Sequence, residues 1–94
     1  MPDPRDVSVH KLLFRIVGAL VDRPEFMVIK TQVTEDGAIF TVHAHPDDIG
    51  KLIGKQGRNA QSLRIITSGA GRKLRRCYEV AIHDEIMQSG RLPE

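Results

Sequence analysis

Apolar residues recur at helical spacing early in the chain. Val9, Leu12, Leu13, Ile16, Val17 and Leu20 predict an amphipathic helix from about Ser8 to Val21, with Ser8 as its N-cap. Asp22-Arg23-Pro24 ends it, because proline restricts the residue before it and brings no N–H to the ladder. The period then changes. Phe26 to Thr34 is rich in β-branched and apolar residues, Glu35-Asp36-Gly37 supplies turn chemistry, and Ile39 to His45 follows with Phe40, Val42 and Ala44 alternating inward, the pattern of a β-hairpin. Pro46-Asp47-Asp48 opens a short helix that runs to about Ile53, with two carboxylates at the positive end of its dipole. A longer helix begins near Arg58; Ala60, Leu63, Thr67, Ala70 and Leu74 form its buried stripe, with Ile66 beside it and Arg64 and Arg72 turned away. Gly69 and Gly71 each cost about 1 kcal/mol there relative to alanine, so a bend or an early end is expected. A last strand from about Arg76 to His83 places Tyr78, Val80 and Ile82 on one face.

The order is helix, strand, strand, helix, helix, strand. The two helices between the second and third strands form a crossover that favours parallel pairing, so the three-stranded sheet is expected to be mixed. With 94 residues there is one core, and all three helices must cover one face of the sheet, an α+β fold. The domain is expected over residues 8–83, after a disordered arm at 1–7 and before a tail at 84–94 that carries no convincing element. No apolar run approaches the eighteen or so residues that span a bilayer, and Met1-Pro2-Asp3-Pro4-Arg5-Asp6 does not read as a signal peptide, so the expected compartment is the cytoplasm, without membrane insertion. Cys77, with no second cysteine to pair with, is expected as a small core residue.

Charge changes this picture from a generic fold to a site. The window from Lys51 to Arg76 holds eight Lys or Arg and no acid, against six bases and twelve acids elsewhere, so a net charge of +2 conceals +8 beside −6. Ile53-Gly54-Lys55-Gln56-Gly57-Arg58 lies inside that window. Two glycines three apart let backbone amides approach an anion closely, a helix N-terminus follows at once, and Lys55 and Arg58 add charge-assisted contacts. A tight corner without a ligand would use the same glycines, and Lys51, Arg64, Arg72, Lys73, Arg75 and Arg76 would equally suit a solvated face.

These residues resemble the I-G-x-x-G core of KH domains, and the element order αββααβ matches their type II arrangement. The chain is similar, over roughly residues 8–83 and most closely from His45 to Arg64, to the single-domain KhpA-type KH proteins of bacteria. The resemblance implies a small RNA-binding protein acting as an RNA chaperone. It also implies a larger KhpB-type partner with its own KH domain, in a pathway tied to cell-wall synthesis and cell length. A KH clamp holds about four nucleotides of single-stranded RNA with their bases in an apolar groove. Gly54 and Gly57 would pass close to the strand, and Lys55 and Gln56 would project to phosphate or ribose. Lys51, Arg58 and Arg64 would add charge, while Ile49, Ile53 and Ala60 are groove candidates that would serve equally well as core. RNA rather than DNA rests on the resemblance alone.

Catalytic readings fit poorly. A P-loop needs four residues between its glycines and Ser or Thr after its lysine, whereas three separate Gly50 from Gly54 and Gln56 follows Lys55. His43 and His45 share a strand face with His83 on a neighbouring strand, a pattern more often polar strand surface than metal site. Cys77 has no base beside it in any recognisable motif, and Asp47 and Asp48 read as helix-start residues. No enzyme activity, cofactor or metal is expected. Two functions stand: an RNA-binding module, or an interaction module that dimerises with itself or with a KhpB-type partner supplying most RNA contacts. Ile65, off the buried stripe, and the long tail are the candidate partner surface for the second.

Overall fold

The computed structural model describes residues 2–83. Helix α1 spans Pro4–Leu20, strand β1 Val28–Val33, strand β2 Gly37–His43, helix α2 Pro46–Ile53, helix α3 Arg58–Leu74 and strand β3 Cys77–Ile82. The sheet order is β1-β2-β3, with β1 antiparallel and β3 parallel to β2, so the mixed αββααβ arrangement expected from periodicity is the one observed.

Phe40 pairs with Thr31 on β1 and with Val80 on β3, which fixes the inner face of the sheet. Ala38, Phe40, Val42, Ile29, Tyr78, Val80 and Ile82 line that face and pack with Val9, Leu13 and Val17 of α1, Ile49 and Leu52 of α2, and Ala60 and Leu63 of α3 in one cluster. Gly37 is needed less for the turn than for this pairing, since a Cβ there would run into the backbone of Cys77 on β3. The turn itself closes with the Thr34 N–H donating to the Gly37 carbonyl at 2.9 Å.

Several expectations are corrected. Helix α1 starts at Pro4, not Ser8: proline occupies a first-turn position, and the Asp3 carboxylate caps the helix by accepting from the Arg5 N–H at 2.8 Å. Residues 4–7 are therefore helix, not arm. Strand β1 begins at Val28 because Pro24–Phe26 form a 3-10 turn, and β2 ends at His43, leaving His45 to cap α2 by accepting from the Asp47 N–H at 3.1 Å. Helix α3 runs unbroken through Gly69 and Gly71 to Leu74. At Gly71 a Cβ would meet the Arg76 carbonyl and approach the Tyr78 ring, so glycine there lets the helix end fold back onto β3. Ile66 is 49% exposed, off the buried stripe, and Cys77 is exposed at the strand start. The tail at 84–94 lies outside the described residues.

Candidate nucleic-acid interface

The segment between α2 and α3 owes its shape to three positive backbone angles. Gly54 has φ 79°, Gln56 φ 58° and Gly57 φ 74°, and the Gly57 N–H donates to the Gly54 carbonyl at 3.0 Å. Gly54 also ends α2, donating its N–H to the Gly50 carbonyl at 2.8 Å. Asn59, in the first turn of α3, reaches back to donate its side-chain Nδ2 to the Lys51 carbonyl at 2.8 Å. A Cβ on Gly54 would lie 2.8–2.9 Å from Asn59, so Gly54 and Asn59 lock together, whereas nothing lies within 4 Å of the Cβ position of Gly57. The loop is thus tied down at Gly54 and open at Gly57. Asn59 was not singled out by sequence reasoning; a polar residue two places after the second glycine was the available signal.

Lys55, Gln56 and Arg58 are exposed, with Arg58 donating to the Gln56 Oε1 at 3.4 Å. The N-cap of α3 is Gly57, which offers no side-chain acceptor; the Arg58 N–H donates to the Lys55 carbonyl, and the amides after it in the first turn have no side-chain cap. From Gln56 and Gly57 an open trough of about 670 Å³ follows one side of α3 past Gln61, Arg64, Ile65 and Ser68 to Arg72. Gln61 and Ser68 are polar groups there that charge and periodicity did not mark. A smaller cavity of about 220 Å³ lies between α3 and β3, where Arg64 donates its Nε to the Val80 carbonyl at 3.0 Å, with Glu79 on its rim.

The remaining expected site residues divide. Ile49 and Ala60 do not reach the surface: both are 1% exposed because α2 and α3 turn them onto the sheet. Ile53 is half-buried against the same cluster. Lys51 stands beside the loop but faces acids, with Nζ 3.1 Å from Asp22 and 3.5 Å from Asp48, and the Asp22 carboxylate raises its pKa above the ordinary lysine value. Asp48 is more than a helix-start residue. Its carboxylate is buried and accepts from the backbone N–H groups of Asp22 at 3.2 Å and Arg23 at 2.9 Å. Burial pushes its pKa up, but those two amides and Lys51 outweigh it and hold the carboxyl below its usual value.

Arg76 is likewise withdrawn from the basic surface. Its guanidinium forks onto the buried Asp6 carboxylate at 3.0 and 2.7 Å, and the Tyr78 hydroxyl donates to the same carboxylate at 2.7 Å. Burial, then the hydrogen bond to Asp6, pushes the Tyr78 phenol up to about 12. Of the histidines once grouped, His43 and His83 lie with ring centroids 4.5 Å apart, while His45 has turned into the α2 cap beside Phe26.

Comparison with known proteins adds to this geometry. Residues 10–82 match the family model for the KhpA/KhpB KH domain. The chain is 44% identical over 55 residues to the protein named RNA-binding protein KhpA of Oceanobacillus iheyensis, covering 58% of this chain and 73% of that one. It is 35% identical over 65 residues to the protein of the same name in Listeria monocytogenes, covering 69% and 86% of the two chains. For the Streptomyces coelicolor relative, also so named, the identity is 33% over 63 residues, 67% of this chain and 80% of the relative.

Proposed function

The chain belongs to the KhpA/KhpB KH-domain family, and from that premise we propose that it binds single-stranded RNA, clamping the backbone at Gly54, Lys55, Gln56 and Gly57 and acting as an RNA chaperone. The observation that carries this reading is the asymmetry of the loop: a locked Gly54 beside an open Gly57, with exposed Lys55 and Arg58 and, behind them, the start of α3 without a side-chain cap. Lys55, Arg58 and Arg72 supply charge to phosphates along the trough. Gln56, Gln61 and Ser68 supply hydrogen bonds, Arg64 marks the β3 side, and Ile53 backs the loop. Lys51 contributes to the local field, partly offset by Asp22. Relatives bearing the name RNA-binding protein KhpA support the same ligand.

The test replaces Lys55 and Gln56 by aspartate. Asp tolerates the left-handed backbone that Gln56 already adopts, so the swap changes charge without demanding a new fold. RNA affinity should fall at least ~10-fold, and what remains should depend less on salt because fewer counterions are released. Native-like affinity in the double variant overturns the clamp.

A second reading has an observation of its own. Ile65 and Ile66 are 61% and 49% exposed on neighbouring positions of α3, and Ile65 borders the trough. We infer from them a contact surface for a second copy or a KhpB-type partner, tested by Ile65→Ser and sedimentation of the purified protein. The cytoplasm, and a role in cell-wall synthesis and cell length, complete the proposal on family likeness; deletion followed by cell-length measurement checks the latter. No catalytic step is proposed. Among the described residues, no helix is long and apolar enough to cross a membrane.

A further inference from the structure

Helix α1 carries an aromatic ring followed by a cation twice, four residues apart: His10-Lys11 and Phe14-Arg15. Four residues is the spacing that brings side chains together on one helix face. The rings of His10 and Phe14 lie nearly parallel, 11° apart, with centroids 6.4 Å from each other. His10 is held by a hydrogen bond from Nε2 to the Ile29 carbonyl on β1 at 3.0 Å, so the inner ring is anchored while Phe14 remains 44% exposed. His10, Lys11, Phe14 and Arg15 line a cavity of about 470 Å³ with no acid in its wall among the described residues. Neither Lys11 nor Arg15 has an ion-pair partner among the described residues.

We propose that these four residues form a second binding site for single-stranded RNA, in which a base stacks on Phe14 and the phosphates flanking it pair with Lys11 and Arg15. The ligand class rests on the function proposed above; the site rests on its own residues. Rings interleaved with cations suit a chain that alternates base and phosphate, and stacking on an aromatic face tolerates any base. A protein partner fits less well, because the centre of a protein interface is depleted of charge and of lysine in particular. The site lies toward the opposite edge of the sheet from the loop, on the same helix-covered face. His10 is bonded to β1, and the adjoining cavity reaches Thr31 and Val33 of that strand, whereas the trough meets β3 through Arg64 and Val80. An RNA long enough to pass around the domain, or two separate strands, would occupy both.

Binding of fluorescent oligouridines of about four and about twenty nucleotides, by anisotropy on the full chain, tests this. Phe14→Leu keeps an apolar side chain of similar reach and removes the ring. It should weaken the long oligonucleotide roughly tenfold, the loss expected for one base–aromatic stack, and leave the short one, which the loop alone can hold, unchanged. Lys11→Gln with Arg15→Gln, both outside the core, should lower the salt dependence for the long oligonucleotide and serves as the second variant if Phe14→Leu disturbs folding. Crosslinking with 4-thiouridine should place an adduct between His10 and Arg15. Native affinity for the long oligonucleotide in both variants, no adduct on α1, or a changed oligomeric size without a change in affinity overturns the second site. If the loop variant binds like the native chain while Phe14→Leu fails, the clamp falls and this site stands; the reverse result leaves the clamp and removes the site.

Discussion

Gly54 and Gly57 share a positive φ and differ in everything around them. Alanine at Gly57 meets no neighbour and costs only the left-handed backbone, about 1 kcal/mol. Alanine at Gly54 adds a collision with Asn59, at a φ and ψ of 79° and 171° that side-chain-bearing residues scarcely populate, so its cost should reach about 3 kcal/mol. Urea unfolding of the two variants should therefore rank Gly54→Ala as the less stable, while RNA titration should show Gly57→Ala losing affinity out of proportion to its small stability loss. Sequence spacing marked both glycines but could not tell them apart. The difference lies in Asn59, whose contact with Gly54 exists only once α2 and α3 have turned toward each other.

At the scale of elements, the helices and strands with strong apolar periodicity were legible, and α2 appears over the span expected from Pro46 and Ile53. The start of α1 was not. Its first turn buries a carboxylate, Asp6, and a pattern search for apolar residues passes over it, although Asp3 followed by Pro4 was a capping signal in plain view. What secures that turn is Arg76 and Tyr78, about seventy residues away, a pairing that no local rule supplies. Tyr78 gives a direct readout because it is the one tyrosine in the chain. Its folded pKa of about 12 lies above its ordinary 10.0, so its contribution to stability is complete below pH 10.0 and is lost as pH rises toward 12. Ultraviolet titration should show the phenol ionising late in the native protein, and Asp6→Asn should bring that ionisation earlier and lower the Tm.

For the whole molecule, the acid-free window proved to be only partly a surface. Acids from outside it fold back onto Lys51 and Arg76, so the field is concentrated on Lys55, Arg58, Arg72, Lys73 and Arg75, which charge counting could not separate from the rest. One of the acids that move in, Asp48, joins the exit of α1 to α2 through the amides of Asp22 and Arg23. Its pKa is held below the ordinary 3.8, so the stability it confers is complete above that pH and is lost as pH falls through the lower, folded value. Asp48→Asn should lower the Tm at neutral pH and flatten the acid side of the stability profile, as followed by thermal melts across pH.

The tie from Asn59 to the Lys51 carbonyl has a kinetic consequence. A loop already held in one shape has little conformational freedom left to lose when RNA arrives, so encounter need not wait for the clamp to assemble. Association should be fast and steered by charge, and grip strength should be set by the rate of release. Loosening the tie, as in Asn59→Ala, should therefore slow capture, read as a lower association rate in stopped-flow binding of RNA.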